Sequence, residues 1–320
     1  MKRKVAQIGP STLMISLPTE WVKAHKLQKG DELDVFPGRN EITFSQGERK
    51  AKTKEITLDI TPFNKYLLSR YLEVLYFSNY SKIILTHKKN TMYDQKHQEE
   101  ISVRALLKKL SNRYIGMEIV SQTRNMTEIR CFLLDKEKDL RTIEKRIYFL
   151  FKGIMEEFLQ SLDHNHKEFY QNIYEHHDTI TKFVTYYLRV LDQSEKTEEE
   201  KKQLYSLYLT IDKMMDKFRH LNQSIDQYGC TPTTKNMLKD IFELVYEFFT
   251  AYHKGRITAE LVAKRYALMR KSISSDYSPE ELRVVNEIRI FLDSINDFTR
   301  AVILEELVNN DSQRIPPVFK

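Results

Sequence analysis

The chain has 320 residues, 41% of them hydrophobic and 30% charged, with a formal net charge of +6. That is too much apolar material for a disordered chain, and the length allows two or three domains. Scarce glycine and proline, eight of each, disfavour a loop-rich β fold, and two distant cysteines, Cys131 and Cys230, exclude a disulfide framework or zinc ribbon and point to a reducing cytoplasm.

Charge is concentrated at the front. Residues 1–29 hold Lys2, Arg3, Lys4, Lys23, Lys26 and Lys29 against Glu20 alone, a net of +5. Such a patch points to an anionic partner, nucleic acid first; the plainer reading is a solubilising basic terminus. Gly9-Pro10-Ser11 interrupts the apolar run after the basic start, which argues against a secretory leader. No run of about 18 apolar residues occurs, so no membrane insertion is expected.

Residues 1–47 read strand, strand, short helix, strand, strand. Val5, Ile8, Leu13, Ile15, Leu17, Leu33, Val35, Ile42 and Phe44 supply the apolar faces. Pro18 suits the first turn of a helix, and Trp21, Val22 and His25 share one side of it. Gly30 and Gly38 suit turns. About 45 residues are too few for a sound core, so a second copy of the chain is expected to complete it.

A charged linker follows at 48–54. Residues 55–135 read as a small α/β module: a strand at 56–60, a helix at 63–80, a strand at 82–86, a helix at 101–114, and strands at 117–121 and 128–134. It contains neither a glycine-rich phosphate loop nor a nucleophile motif. From 139 to 308 the chain reads as helical, with helices at 139–163, 166–193, 198–228, 235–254, 258–275 and 279–308, grouped as two three-helix bundles. The predicted architecture is therefore multidomain and mainly α.

An internal repeat supports the grouping. "IDKMMDKFRHL" (211–221) aligns with "LDSINDFTRAV" (292–302), each carrying Asp-x-x-x-Asp among apolar residues. Asp212 and Asp216 lie one turn apart, as do Asp293 and Asp297. Like charges so placed cost a few tenths of a kcal/mol unless neutralised. Lys or Arg side chains, or a bound cation, would serve; hard cations, iron and zinc all accept carboxylates.

Two resemblances follow from these residues. Ile15-Ser16-Leu17-Pro18-Thr19-Glu20-Trp21, then Leu27-Gln28-Lys29-Gly30-Asp31-Glu32-Leu33, resembles the SpoVT–AbrB swapped-hairpin DNA-binding domain. That likeness implies two chains exchanging hairpins in one homodimeric DNA-binding head. Where the family often has two adjacent basic residues this chain has Val22 and Lys23, and where it often has glycine it has Lys26.

The helical region resembles PhoU, the phosphate-uptake regulator with two three-helix repeats, whose signature of an acid and an Asp four residues on is matched by both Asp pairs. Glu175 and Asp178 lie near further acidic positions of the family. An expected Asp is Lys182, and helix 258–275 offers Glu260 but also Lys264, Arg265, Arg270 and Lys271. This likeness implies a metal ion (iron, zinc or magnesium) on Glu175, Asp178, Asp212, Asp216, Asp293 and Asp297. The fusion as a whole resembles archaeal PhoU-type regulators with an AbrB-like head.

The expected function is a dimeric transcription regulator of phosphate homeostasis. Lys2, Arg3, Lys4 and Lys23 would contact DNA phosphates, and Gln7, Ser11 and Thr12 would read bases. The alternative is an interaction protein docking on a phosphate ABC transporter ATPase or a signalling partner, its head serving to dimerise. An enzyme is not expected. No Glu-x-x-His of a ferritin-like di-iron bundle occurs, no Ser-His-Asp signature is present, and His164, His166, His176 and His177 read as solvated.

Overall fold

The computed structural model describes residues 2–10, 12–37, 42–45, 54–132, 140–194, 196–254, 256–273 and 276–311. The chain is mainly α-helical and divides into two compact units, residues 1–53 and 54–320. The expected linker at 48–54 lies almost wholly outside the described residues, and Lys54 already belongs to a strand.

Unit 1 contains β1 (Ala6–Gln7), β2 (Leu13–Met14), α1 (Thr19–Ala24), β3 (Asp34–Pro37) and β4 (Ile42–Ser45). β1 pairs antiparallel with β2, and β3 with β4.

Unit 2 begins with a four-stranded sheet of order β5-β6-β10-β9, formed by β5 (Lys54–Asp59), β6 (Tyr80–Thr86), β9 (Met117–Gln122) and β10 (Met126–Cys131). β5 runs parallel to β6 and the other pairs are antiparallel. Between them lie α2 (Lys65–Phe77) and α3 (Val103–Ser111). Asn64 caps α2 by accepting from the Leu67 N–H, and Ser102 caps α3 by accepting from the Ala105 N–H. That second cap is why the helix expected from 101 starts at 103. Gly116 has φ +75°, and a Cβ there would collide with the Phe132 carbonyl oxygen. Glycine is thus required where the chain turns into β9.

A hairpin not expected from the sequence joins them, β7 (Thr91–Asp94) with β8 (Glu99–Ser102). Its period-2 signal is only four residues long, with Met92 and Asp94 buried and Thr91 and Tyr93 exposed. Charged residues on both sides obscure it.

The helical part comprises α4 (Leu140–Ser161), α5 (His166–Gln171), α6 (Ile173–Asp192), α7 (Glu198–Tyr228), α8 (Pro232–His253), α9 (Ala259–Ile273) and α10 (Pro279–Asp311). The single helix expected at 166–193 is broken at Asn172, whose φ −96° and ψ 1° leave the helical region. α7 starts with a capping box: Thr197 accepts from the Glu200 N–H while Glu200 accepts from the Thr197 N–H. α4, α6 and α7 form one group and α8, α9 and α10 the other. The two groups share one core, joined by the α7–α10 and α4–α8 contacts. Phe158, Phe218, Phe242 and Phe291 pack ring against ring across that seam.

The α/β module does not stand apart from the helices. Arg189 of α6, 1% exposed, enters it. Its guanidinium donates to the carbonyl oxygens of Tyr76, Tyr80 and Cys131 and lies over the Tyr76 ring. Tyr76 is in the last turn of α2, where unpaired carbonyls carry partial negative charge, so the cation neutralises a helix end. Asn79 adds hydrogen bonds to Arg189 O (3.1 Å) and Asp192 (2.6 Å). Among the described residues, no helix is long and apolar enough to cross a membrane.

Candidate functional site

The head comes first, because the candidate DNA contacts lie there. α1 begins after Pro18 and ends in a tight left-handed turn. The Leu27 N–H reaches back to Val22 O (3.1 Å) and the Lys26 N–H to Lys23 O (3.2 Å). Lys26 takes φ +52°. This is the Schellman pattern of helix termination. Trp21 stacks on His25 at 4.5 Å between ring centroids. The next turn is held by Asp31, whose carboxylate accepts from the Gln28 N–H at 2.7 Å.

Lys2, Arg3, Lys4 and Lys23 are all exposed, the first three just before β1 and Lys23 on the last turn of α1. Gln7 is in β1, and its side-chain amide donates to Pro10 O at 3.3 Å. The Thr12 carbonyl accepts from the Ile8 N–H, closing the β1–β2 turn. Ser11 lies outside the described residues. Every residue of the head whose burial is described is exposed or half-exposed. The apolar strand residues share this exposure: Leu13 is 69% exposed and Ile42 61%, and Val5, Ile8, Met14, Ile15 and Val35 are exposed as well.

The acidic residues of the helical repeats take a different arrangement from the one anticipated. His177 of α6 sits between two carboxylates, with Nδ1 3.4 Å from Asp178 and Nε2 3.1 Å from Asp216 of α7. The second contact is an ion pair without hydrogen-bond direction. Burial opposes a charge on His177, but Asp178 and Asp216 outweigh it and lift the imidazole to about 9. Arg113, just beyond α3, donates to Asp178 at 3.0 Å, and Arg219 approaches Asp216 at 3.4 Å. Both aspartates are held below the usual carboxylate range. At Asp178 burial pushes the carboxyl up, and His177 with Arg113 outweighs it; at Asp216 the contact with His177 leads.

Asp212 accepts from the Thr181 hydroxyl at 2.6 Å, and burial pushes its carboxyl up. Glu175 is exposed at the start of α6, away from this set of contacts. Lys182, standing where a further acid was expected, donates to Asn112 O at 3.1 Å.

In the second repeat, Arg265 of α9 is buried and donates to Asp293 at 2.8 Å and to Leu292 O at 3.2 Å. The basic character of that helix thus has a purpose: one of its arginines neutralises an acid of the repeat. Asp297 is exposed, with Arg300 at 3.9 Å.

Among the described residues these six acids do not bring three ligand atoms within 4.8 Å of one another. Among the described residues, the trio with ligand atoms within 4.8 Å of one another is Asp94, His97 and Glu99 of the β7–β8 hairpin, none of them among the six acids. That trio is itself engaged, since Lys65 (2.5 Å) and His97 (2.8 Å) both bind Asp94 Oδ2. Protein cations face Asp216 and Asp293, the other of the two means open to such acids, whereas Asp212 is held by the Thr181 hydroxyl.

The expectation that the histidines are solvated needs correction. His177 is 12% exposed in its side chain and His176 19%. His166 is half-buried, with Nε2 3.1 Å from the Asn222 side chain. His164 is exposed. A signal for His177 is present in the sequence: Ile173, His177, Ile180 and Val184 recur at spacings of four, three and four, the row of a buried helix face. No family model, no curated protein and no solved structure matches this chain.

Proposed function

We propose that the protein is a dimeric DNA-binding transcription regulator, a binding protein rather than an enzyme, acting in the cytoplasm. The observation that carries this reading is the state of the head. Its strand residues are apolar and exposed in a single chain, and its basic residues are exposed beside them. A second copy of the chain covers the first set, and DNA phosphates pair with the second.

The left-handed Lys26 adds support, because it stands where the resembled swapped-hairpin family carries glycine. The association with phosphate homeostasis rests on the resemblance of the helical repeats to PhoU and is proposed on that basis. The competing reading, a head that only dimerises a PhoU-like body docking on a transporter ATPase, leaves the exposed lysines without a role.

Binding to duplex DNA across a salt series tests the proposal. With Lys2, Arg3, Lys4 and Lys23 of both chains engaged, log K against log salt has a slope of roughly −7 as a ceiling, at about −0.9 per contact. Lys23→Ala removes two contacts per dimer and shrinks the slope by about 2. A salt-independent or absent interaction with DNA favours the dimerisation-only reading.

A further inference from the structure

The α/β module has a positively charged pole. At one end of the four-stranded sheet, β5 and β6 finish and β10 starts. Backbone hydrogen bonds tie the connecting segments together there: His87 N–H to Asn125 O (3.0 Å), Ile60 N–H to Thr86 O (2.8 Å) and Val103 N–H to Asn90 O (3.0 Å). The Lys88 N–H donates to the Thr61 hydroxyl at 3.1 Å. This framework brings Lys88, Lys89, Arg104 and Arg124 to the same end, with Lys108 one helical turn beyond Arg104. All five are exposed.

Their surroundings are poor in acid. None of the five makes an ion pair among the described residues, although many basic side chains of unit 2 do, including Lys65, Arg113, Lys264 and Arg265. Arg104 donates to the Gln122 side chain, at 2.8 Å. The facing carboxylate is Asp59, which feels Lys88 but is occupied by the Thr61 hydroxyl and N–H (2.9 Å). The capped first turns of α2 and α3 lie at this same end, so both helix dipoles add positive potential to that of the side chains.

We infer that this pole is a second nucleic-acid contact surface, binding the phosphate backbone of duplex DNA without reading sequence. The chemistry is that of several separate cations on an open surface. Such a surface suits an extended polyanion, whose charges are spread along a rod, better than an enclosed metabolite. The assignment stands on unit 2 alone and does not depend on DNA binding by the head.

Four full-length proteins test it: the natural chain, a pole variant (Lys88→Gln, Lys89→Gln, Arg124→Gln), a head variant (Lys2→Gln, Arg3→Gln, Lys4→Gln, Lys23→Gln) and their combination. Arg104 is left in place because it bonds Gln122. Binding to a duplex is followed by fluorescence anisotropy against salt, with thermal melts as a check on folding. Should the triple change disturb folding, Lys89→Gln with Arg124→Gln is used instead.

The pole variant is expected to shrink the slope of log K against log salt by between about 1 and 3 per chain, at roughly 0.9 for each phosphate it no longer neutralises. The head variant is expected to keep residual, salt-sensitive binding that the combination abolishes. A pole-variant slope equal to that of the natural chain overturns the inference. A head variant with unchanged binding overturns the proposal for the head while leaving this one intact. Loss of binding to phosphatidylserine vesicles with an unchanged DNA slope reassigns the pole to an anionic membrane and also overturns it.

Discussion

Arg189 is among the largest fully buried side chains, and its guanidinium is held by carbonyl oxygens. A buried cation is costly unless its donors are matched, and here backbone carbonyls of α2, β6 and β10 match the two terminal nitrogens, while Nε has no hydrogen-bond partner. Arg189→Met removes the guanidinium donor from those carbonyls, of which Tyr76 O keeps the Asn79 N–H, and is expected to destabilise unit 2 by about 3 kcal/mol. Thermal unfolding then shifts down by roughly 10 °C. Arg189→Lys recovers less than half of that, because a point charge cannot address carbonyls on separate segments as the planar fork does.

His177 supplies the second residue-scale prediction. Its pKa is raised from 6.5 to about 9 in the folded chain. A raised pKa means that the folded state holds the proton more tightly. The stabilisation is therefore complete below about pH 6.5 and is lost as pH rises through about 9. The difference in unfolding free energy between the natural chain and His177→Asn, measured by urea titration, is expected to fall by as much as about 3 kcal/mol between pH 6 and pH 10. A pH-independent difference removes the imidazolium from its bridging role.

At the scale of elements, helix ends and helix pairs set the local stability. The α1 terminus needs left-handed backbone at Lys26, which costs an L-residue about 1 kcal/mol. Lys26→Gly is expected to recover most of that by relieving the strain, partly offset by a more flexible unfolded chain. The change is read as a higher urea midpoint for the head signal of Trp21, the only tryptophan.

Between α9 and α10, Asp293→Asn leaves Arg265 buried with a weaker partner. It is expected to cost about 1–2 kcal/mol by urea titration, with no dependence on added iron, zinc or magnesium. A metal-dependent rise in stability that this substitution abolishes would instead make Asp293 a ligand. The same pair explains why a basic helix faces an acidic repeat: the neutralising group is built into the chain.

At the scale of the whole molecule, two units divide the work. Unit 2 has a continuous apolar core extending from the α/β sheet into the helices, whereas unit 1 has no buried residue among those whose burial is described. A chain of 54–320 is therefore expected to fold by itself and to be monomeric by light scattering. The full chain is expected to be a dimer through the head, and Leu13→Asp with Ile15→Asp to reduce it to a monomer. A truncated chain that stays dimeric moves the interface into unit 2 and ends the swapped-hairpin account of dimerisation.

The sequence by itself determined most of the elements. Of the 3–4 row Leu67, Leu68, Tyr71, Leu72 and Leu75, the structure buries Leu68, Leu72 and Leu75 and leaves Leu67 and Tyr71 exposed, whereas Ile211, Met214, Met215, Phe218 and Leu221 are all buried. Local cues of this kind survive folding because helix periodicity and caps act over a few residues. The apolar strands of the head were equally legible.

Tertiary structure alone decided the rest. Nothing near His177 in sequence shows that Asp216, 39 positions later, lies 3.1 Å away. Nothing near Arg189 points to the carbonyls of Tyr76, Tyr80 and Cys131. The surroundings of Asp216 and Asp293 depended on cations from α6 and α9, and those of Asp178 on Arg113 at the end of α3, while the positive pole depended on loops distant in sequence meeting at one sheet end. Charge pairing acts through space between segments that only packing brings together, so the spacing of acids along a helix shows where charge lies and not what neutralises it.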